Sequence, residues 1–133
     1  MAIQHSLAVT YTSPTGPIAE TFNASGDSNL ELNLTIAPSA SEAETDMAVV
    51  ATSGSAGVQS LFFLASAAMT VHCNSVAGGY VSGNNVLTLT LAAGVPYFWI
   101  TGNGTSPVTS SFAAIYVVST PGGTLQIRIL QGQ

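Results

Sequence analysis

The sequence predicts an all-β fold: a two-sheet antiparallel sandwich, jelly-roll-like, with about eight to ten short strands. Three observations predict it. Apolar and polar residues alternate over short stretches, most cleanly in Asn29–Ile36, where Leu30, Leu32, Leu34 and Ile36 share one face and Glu31, Asn33 and Thr35 the other. Gly, Pro, Asn and Ser clusters interrupt these stretches at roughly the 8–12-residue spacing of sandwiches and barrels. The stretches are also rich in β-branched and aromatic side chains, which fit a pleated, half-buried surface. At 133 residues the chain makes one domain, 1–133, large enough to bury a core without staples.

Ser6–Thr12 sets Leu7, Val9 and Tyr11 against Ala8, Thr10 and Thr12. Ser13-Pro14-Thr15-Gly16-Pro17 ends it, because proline cannot donate to a ladder and glycine takes open dihedrals. Ile18–Ala24 follows, and Gly26-Asp27 turns the chain into Asn29–Ile36. Ala37–Thr45 reads as a polar loop around Pro38. It contains one helical option, Ala40–Ala48, with Ser41 as cap and Glu42 and Glu44 in the first turn. Met47–Ala51 is a short strand, and Ser53–Gly57 a flexible connection.

In Gln59–Ala65 the run Leu61-Phe62-Phe63-Leu64 implies burial on both faces. Met69–Asn74 and Val86–Leu91 alternate, separated by glycine-rich turns around Tyr80. Ala92-Ala93-Gly94 leads to Tyr97–Thr101, and Gly102-Asn103-Gly104 is a tight turn. Phe112–Ser119 and Leu125–Leu130 are the last strands, divided by Pro121-Gly122-Gly123. At five to eight residues these strands fall short of the ~9–11 that span a bilayer, which argues against a membrane barrel.

The charge pattern excludes several functions. All six acids lie between Glu20 and Asp46, Arg128 is the sole Lys or Arg, and charged residues make up 5% of the chain. Neutralising a nucleic-acid backbone takes several cations, so DNA and RNA binding are rejected. Anionic membrane surfaces are disfavoured for the same reason. No apolar run is long enough for a membrane helix, and MAIQHSLAVTY lacks the basic and apolar regions of a secretory signal. Ordinary soluble domains are about a quarter charged. A surface this neutral is expected to lie against other protein, with the region after Met47 as the main contact.

The candidate chemistry is sparse. Cys73 alternates with Met69 and Val71 and reads as a buried structural thiol, while adjacent His72 points to the opposite face. His5 and His72 are too few for a metal site. No Ser sits in a Gly-x-Ser-x-Gly frame, so no enzyme, cofactor or metal is expected. Glu42, Glu44 and Asp46 read first as a solvated acidic loop, with calcium binding as the alternative. In Tyr97-Phe98-Trp99, Phe98 must point away from its neighbours, so part of the cluster faces a core. Arg128 is expected to pair with one acid or a set of carbonyls, with an interface role as the alternative. The candidate interface residues are Ala2, Ile3, Gln4 and His5 of the N-terminal arm Ala2–Leu7, together with Arg128.

Five stretches carry a family resemblance: SLFFLAS (60–66), TVHCNS (70–75), LTLTLAAGVPYFWI (87–100), AIYVVS (114–119) and LQIRIL (125–130). In this order they resemble small tailed-bacteriophage virion proteins of the capsid decoration (head cement) type. The resemblance covers the C-terminal half only, and it is a pattern of strands that carries over no site residues. It implies a non-enzymatic structural role on the capsid exterior, in a protein made in the host cytoplasm. The implied partner is the major capsid protein, with self-association as a further possibility. Two alternatives stand beside it. One is a carbohydrate-binding β-sandwich that stacks sugars on Tyr80, Tyr97, Trp99 and Tyr116. The other is a phage tail subunit.

Overall fold

The structure, a computed structural model, describes residues 3–49 and 57–132, with Ala48 as backbone only. Ala2, Val50, Ala51 and Ser53–Ala56 of the expected connection lie outside the described residues. The strands are β1 (Ile3–Ser13), β2 (Gly16–Gly26), β3 (Ser28–Ile36), β4 (Ser39–Val49), β5 (Val58–Ala65), β6 (Met69–Asn74), β7 (Asn85–Leu91), β8 (Tyr97–Ile100), β9 (Phe112–Ser119) and β10 (Gly123–Gln131). A 3-10 turn, Ser82–Asn84, precedes β7.

β3 to β10 form two four-stranded sheets, ordered β3-β10-β5-β8 and β4-β9-β6-β7. Every ladder in them is antiparallel. The pairs β3–β10, β4–β9, β5–β8 and β6–β7 are nested, as in one long folded ribbon. Wrapping that ribbon adds the pairs β10–β5 and β9–β6 and closes two facing sheets. This is the eight-stranded jelly roll. The remaining pair, β1–β2, is a separate two-stranded sheet.

The alternation read in the sequence decides which side chains meet. On the inner face of the first sheet, Leu32, Ile127, Phe63 and Tyr97 lie opposite one another in one row, and Leu30, Ile129, Leu61 and Trp99 in the next. The second sheet answers with rows through Val117, Val71 and Leu89, and through Ile115, Cys73 and Leu87. Together they make the main core, in which Phe63, Val71, Cys73, Ile115, Val117, Leu125, Ile127 and Ile129 are fully buried. At about 1.5–3 kcal/mol per large apolar side chain, this core is the principal stabilising term.

The β1–β2 hairpin lies against the outer face of the first sheet. Its turn is Pro14-Thr15, framed by the pair Ser13 and Gly16, and Ser13 Oγ donates to Gly16 O at 3.1 Å. Ala24 of β2 forms a second, smaller core with Ile100 and Leu130, and Ile3, Leu7 and Phe22 pack against it. Gly26 is required where β2 crosses β10, because a Cβ there would sit 2.2 Å from Gln131 O.

The structure corrects four expectations. Ala40–Ala48 is no helix and lies within β4, and of the expected loop Ala37–Thr45 only Ala37 and Pro38 precede that strand. Glu42, Glu44 and Asp46 alternate with Ala43, Thr45 and Met47, and pairing with β9 outweighs the weak local helix signal. β1 and β2 run eleven residues each, longer than expected, because ladder pairing continues through polar residues to the turn. Strand length therefore does not distinguish this fold from a membrane barrel, since β1 to β4 and β10 run nine to eleven residues. Two open sheets around an interior filled with side chains do distinguish it.

Candidate functional site

Two polar constellations stand out, one on the outer face of each sheet. The first is a cleft between the base of the hairpin and the first sheet, with a volume of about 410 Å³. Its floor is one row across all four strands: Glu31 on β3, Arg128 on β10, Phe62 on β5 and Phe98 on β8. Gln4, His5, Ser6 and Leu7 of β1 form its wall. Three of the expected interface residues, Gln4, His5 and Arg128, are thus brought together from opposite ends of the chain, while Ile3 packs on the smaller core.

His5 ties the hairpin to the sheet. Its Nδ1 lies 2.7 Å from Ser60 Oγ and its Nε2 lies 3.0 Å from Asn29 Oδ1. Ser60 and Asn29 flank Leu130 in the next row, so the imidazole bridges a buried row from above. Arg128 does what its isolation as the sole cation suggested. Nη1 donates to Leu32 O at 3.2 Å and Ile127 O at 2.8 Å, and Nη2 to Asn33 Oδ1 at 3.1 Å. Nε faces Glu31 Oε1 at 3.9 Å, an ion pair too long for a hydrogen bond. A guanidinium carries five N–H donors, so this one keeps room for a further acceptor. Arg128 is partly open to solvent and Glu31 more so, and a pair that exposed is worth little to stability.

The second constellation covers β4, β9 and β6. Glu44, Tyr116, His72 and Thr88 form one row. The β6–β7 loop folds over it. Tyr80 stacks at 4.9 Å from the His72 ring and 5.3 Å from the Tyr116 ring. The Tyr116 hydroxyl donates to Glu44 Oε1 at 2.9 Å, has Val76 O at 3.3 Å, and accepts from the Gly79 N–H at 3.1 Å. Gly78 N–H also donates to Glu44 Oε1, at 2.7 Å. Burial and then the Glu44 carboxylate push the Tyr116 phenol above its ordinary range, and the Gly79 N–H opposes them.

His72 Nδ1 stands 2.8 Å from Glu42 Oε1. The approach is not that of a hydrogen bond: His72 Nδ1 and Glu42 Oε2 are buried atoms without a hydrogen-bond partner among the described residues. The carboxylates of β4 therefore sit on an edge strand. Glu44 clamps a loop through its hydrogen bonds, while Glu42 lies beside the imidazole without one. Among the described residues, no group of three or more His, Cys, Asp or Glu is placed to hold a metal ion.

The aromatic residues fall mostly inside. Trp99 is 9% exposed and donates its indole N–H to Gly104 O at 3.3 Å, and Tyr116 is 2% exposed. Tyr97 packs at the core edge against Phe63, and burial raises its phenol pKa. Phe98 points the other way and is exposed. The proposed sugar platform of Tyr80, Tyr97, Trp99 and Tyr116 does not assemble, since these rings lie on different faces and two are buried.

Known protein families, curated proteins and solved structures yield no match to this chain. The surface has to be read on its own terms. The reading of the sequence missed Phe62, Phe98 and Glu31 as neighbours of Arg128, because nothing in a single strand reveals which strand pairs with it. It read Ser6–Thr12 and Ile18–Ala24 as strands about a Ser13–Pro17 break, but not that they pair with each other as a ribbon outside the sandwich. A signal for that was present: two alternating stretches of similar length flank a Pro-Thr turn.

Proposed function

We propose that this chain is a non-enzymatic virion structural protein, a decoration or cement protein that binds the outside of an assembled phage head and stabilises it. Its partner in this reading is the major capsid protein. The observation that carries the proposal is the neutral exterior of the jelly roll. After Met47 the surface has a single formal charge, at Arg128, and leaves Val76, Val81, Val95 and Phe98 exposed among small polar residues. Such a surface carries little repulsion against a close-packed neighbour, and it suits contact with protein better than free diffusion. The resemblance of its C-terminal strand sequences to phage decoration proteins favours the same role.

A protein that binds the assembled shell and not its separate subunits shifts the equilibrium towards the shell. Repetition over many equivalent sites lets modest contacts hold. The test mixes purified protein with bare heads. Saturable binding and a rise in the temperature at which heads release their contents are expected. Absence of binding, or binding without gain in heat resistance, overturns the proposal.

A further inference from the structure

The β1–β2 hairpin has one apolar face, made of the odd residues of β1 and the even residues of β2. Opposite pairs along it are His5 with Ala24, Leu7 with Phe22, Val9 with Glu20, and Tyr11 with Ile18. The inner half of this face is buried on the protein's own first sheet through Leu7, Phe22 and Ala24. The outer half continues without cover: Val9 is 41%, Tyr11 68% and Ile18 70% exposed. Every residue from Ala8 to Thr12 and from Pro17 to Thr21 is exposed, so the ribbon leaves the body and stands free on both faces. Its other face is Ala8, Thr10 and Thr12 against Thr21, Ala19 and Pro17, small and polar. Two adjoining large apolar side chains at the tip of a projecting ribbon mark a docking element.

We infer that this tip docks into the hairpin cleft of a second copy of the same chain. The tip offers Tyr11 and Ile18 with one acid, Glu20, beside them, and Glu20 makes no hydrogen bond or ion pair among the described residues. The cleft offers Phe62 and exposed Phe98 with the one cation of the chain, Arg128, whose guanidinium has donors to spare. An apolar tip flanked by an acid meets an apolar floor flanked by a guanidinium that, among the described residues, only one exposed carboxylate, Glu31, faces at 3.9 Å. Because there is no Lys and no other Arg, the one guanidinium or ammonium side chain available to Glu20 within a population of identical chains is Arg128 of that cleft, where Glu20 would share it with Glu31. The contact also extends an interface the protein already makes, since the same ribbon face packs on the same sheet face within each copy. Tip and cleft are different patches, so the contact makes a reciprocal dimer or a ring where the geometry closes and an open chain of copies where it does not.

This inference does not rest on the shell-binding proposal and is tested without shells. The full chain is expected to be oligomeric by light scattering. Tyr11→Ser with Ile18→Ser is expected to convert it to a folded monomer whose thermal unfolding matches that of native protein diluted until it dissociates, because both side chains project from the body. Glu20→Gln is expected to weaken association about tenfold, the loss of one charge-assisted contact. Contact between copies is read directly by mixing Ile18→Cys protein with Phe98→Cys protein of different tag length under oxidising conditions. The native Cys73 is buried and does not interfere. A mixed disulfide dimer is expected, and none with Thr90→Cys, on the outer face of the other sheet. A monomeric native protein, an oligomer indifferent to the tip variants, or no mixed disulfide above the Thr90→Cys control overturns the inference. A monomer that still binds heads overturns it while leaving the shell-binding proposal standing.

Discussion

Cys73 shows how far one residue can be read from its neighbours. Its alternation with Met69 and Val71 placed it on the core face, and all three are buried. Burial pushes the thiol from an ordinary 9.0 up to about 12. The unfolded chain loses this proton near pH 9 while the folded chain keeps it, so the thiol's contribution is whole below 9 and lost as pH rises towards 12. The slope is about 1.4 kcal/mol per pH unit inside that window. Tyr97 and Tyr116 are shifted upward too and act in the same direction at their own, higher pH. Denaturant melts of native protein and Cys73→Ala between pH 8 and 11 are expected to show a flatter decline for the variant. A thiol reagent at pH 8 is expected to label the native protein only as fast as it unfolds. Arg128 is the contrasting case. Its need for carbonyls or an acid followed from its being the sole cation, but the identity of Leu32, Ile127 and Asn33 as its acceptors did not. That depends on β3 and β10, almost a hundred residues apart in the chain, lying side by side.

Among the elements, β3 and β4 mark the two extremes of legibility. β3 was readable because its leucines face the main core and its Glu, Asn and Thr face solvent, a period of two written in strongly contrasting residues. β4 was misread because Ala and Ser alternate with acids there, a pattern that local rules score as a weak helix. Its role is to be an edge. Three acids along an exposed edge strand discourage pairing with another sheet. One of them also holds the β6–β7 loop, through the Tyr116 hydroxyl and the Gly78 N–H. Tyr116→Phe removes the acceptor of the Gly79 N–H and a donor to Glu44, with an expected cost of about 1–2 kcal/mol. Amide hydrogen exchange is expected to speed up at Gly78, Gly79 and Tyr80 while β9 itself stays protected. Unchanged protection in the loop would show that Tyr80 stacking alone holds it down.

At the scale of the whole molecule, the nested pairing makes β3 wait for β10 and β4 for β9. Such long-range ladders carry the loop-closure cost that slows all-β folding. Refolding from denaturant is expected on the millisecond-to-second scale typical of sandwiches, and a microsecond phase accounting for all of the signal would contradict that. The sequence by itself determined the fold class, the number of strands and most of their inward faces. These follow from local alternation and from turn residues, and each is decided within a few neighbours. It also determined that the chain has a single Lys or Arg, which is the basis for expecting no nucleic-acid partner. Only the tertiary structure decided that Glu31, Arg128, Phe62 and Phe98 form one row, that the N-terminal stretch is a ribbon standing off the body, and that its buried and exposed halves share one face. Those facts depend on register between strands distant in sequence. Alternation fixes which face each residue takes and a tight turn fixes register within a hairpin, but which distant strands lie side by side is decided by the packing of the whole sandwich.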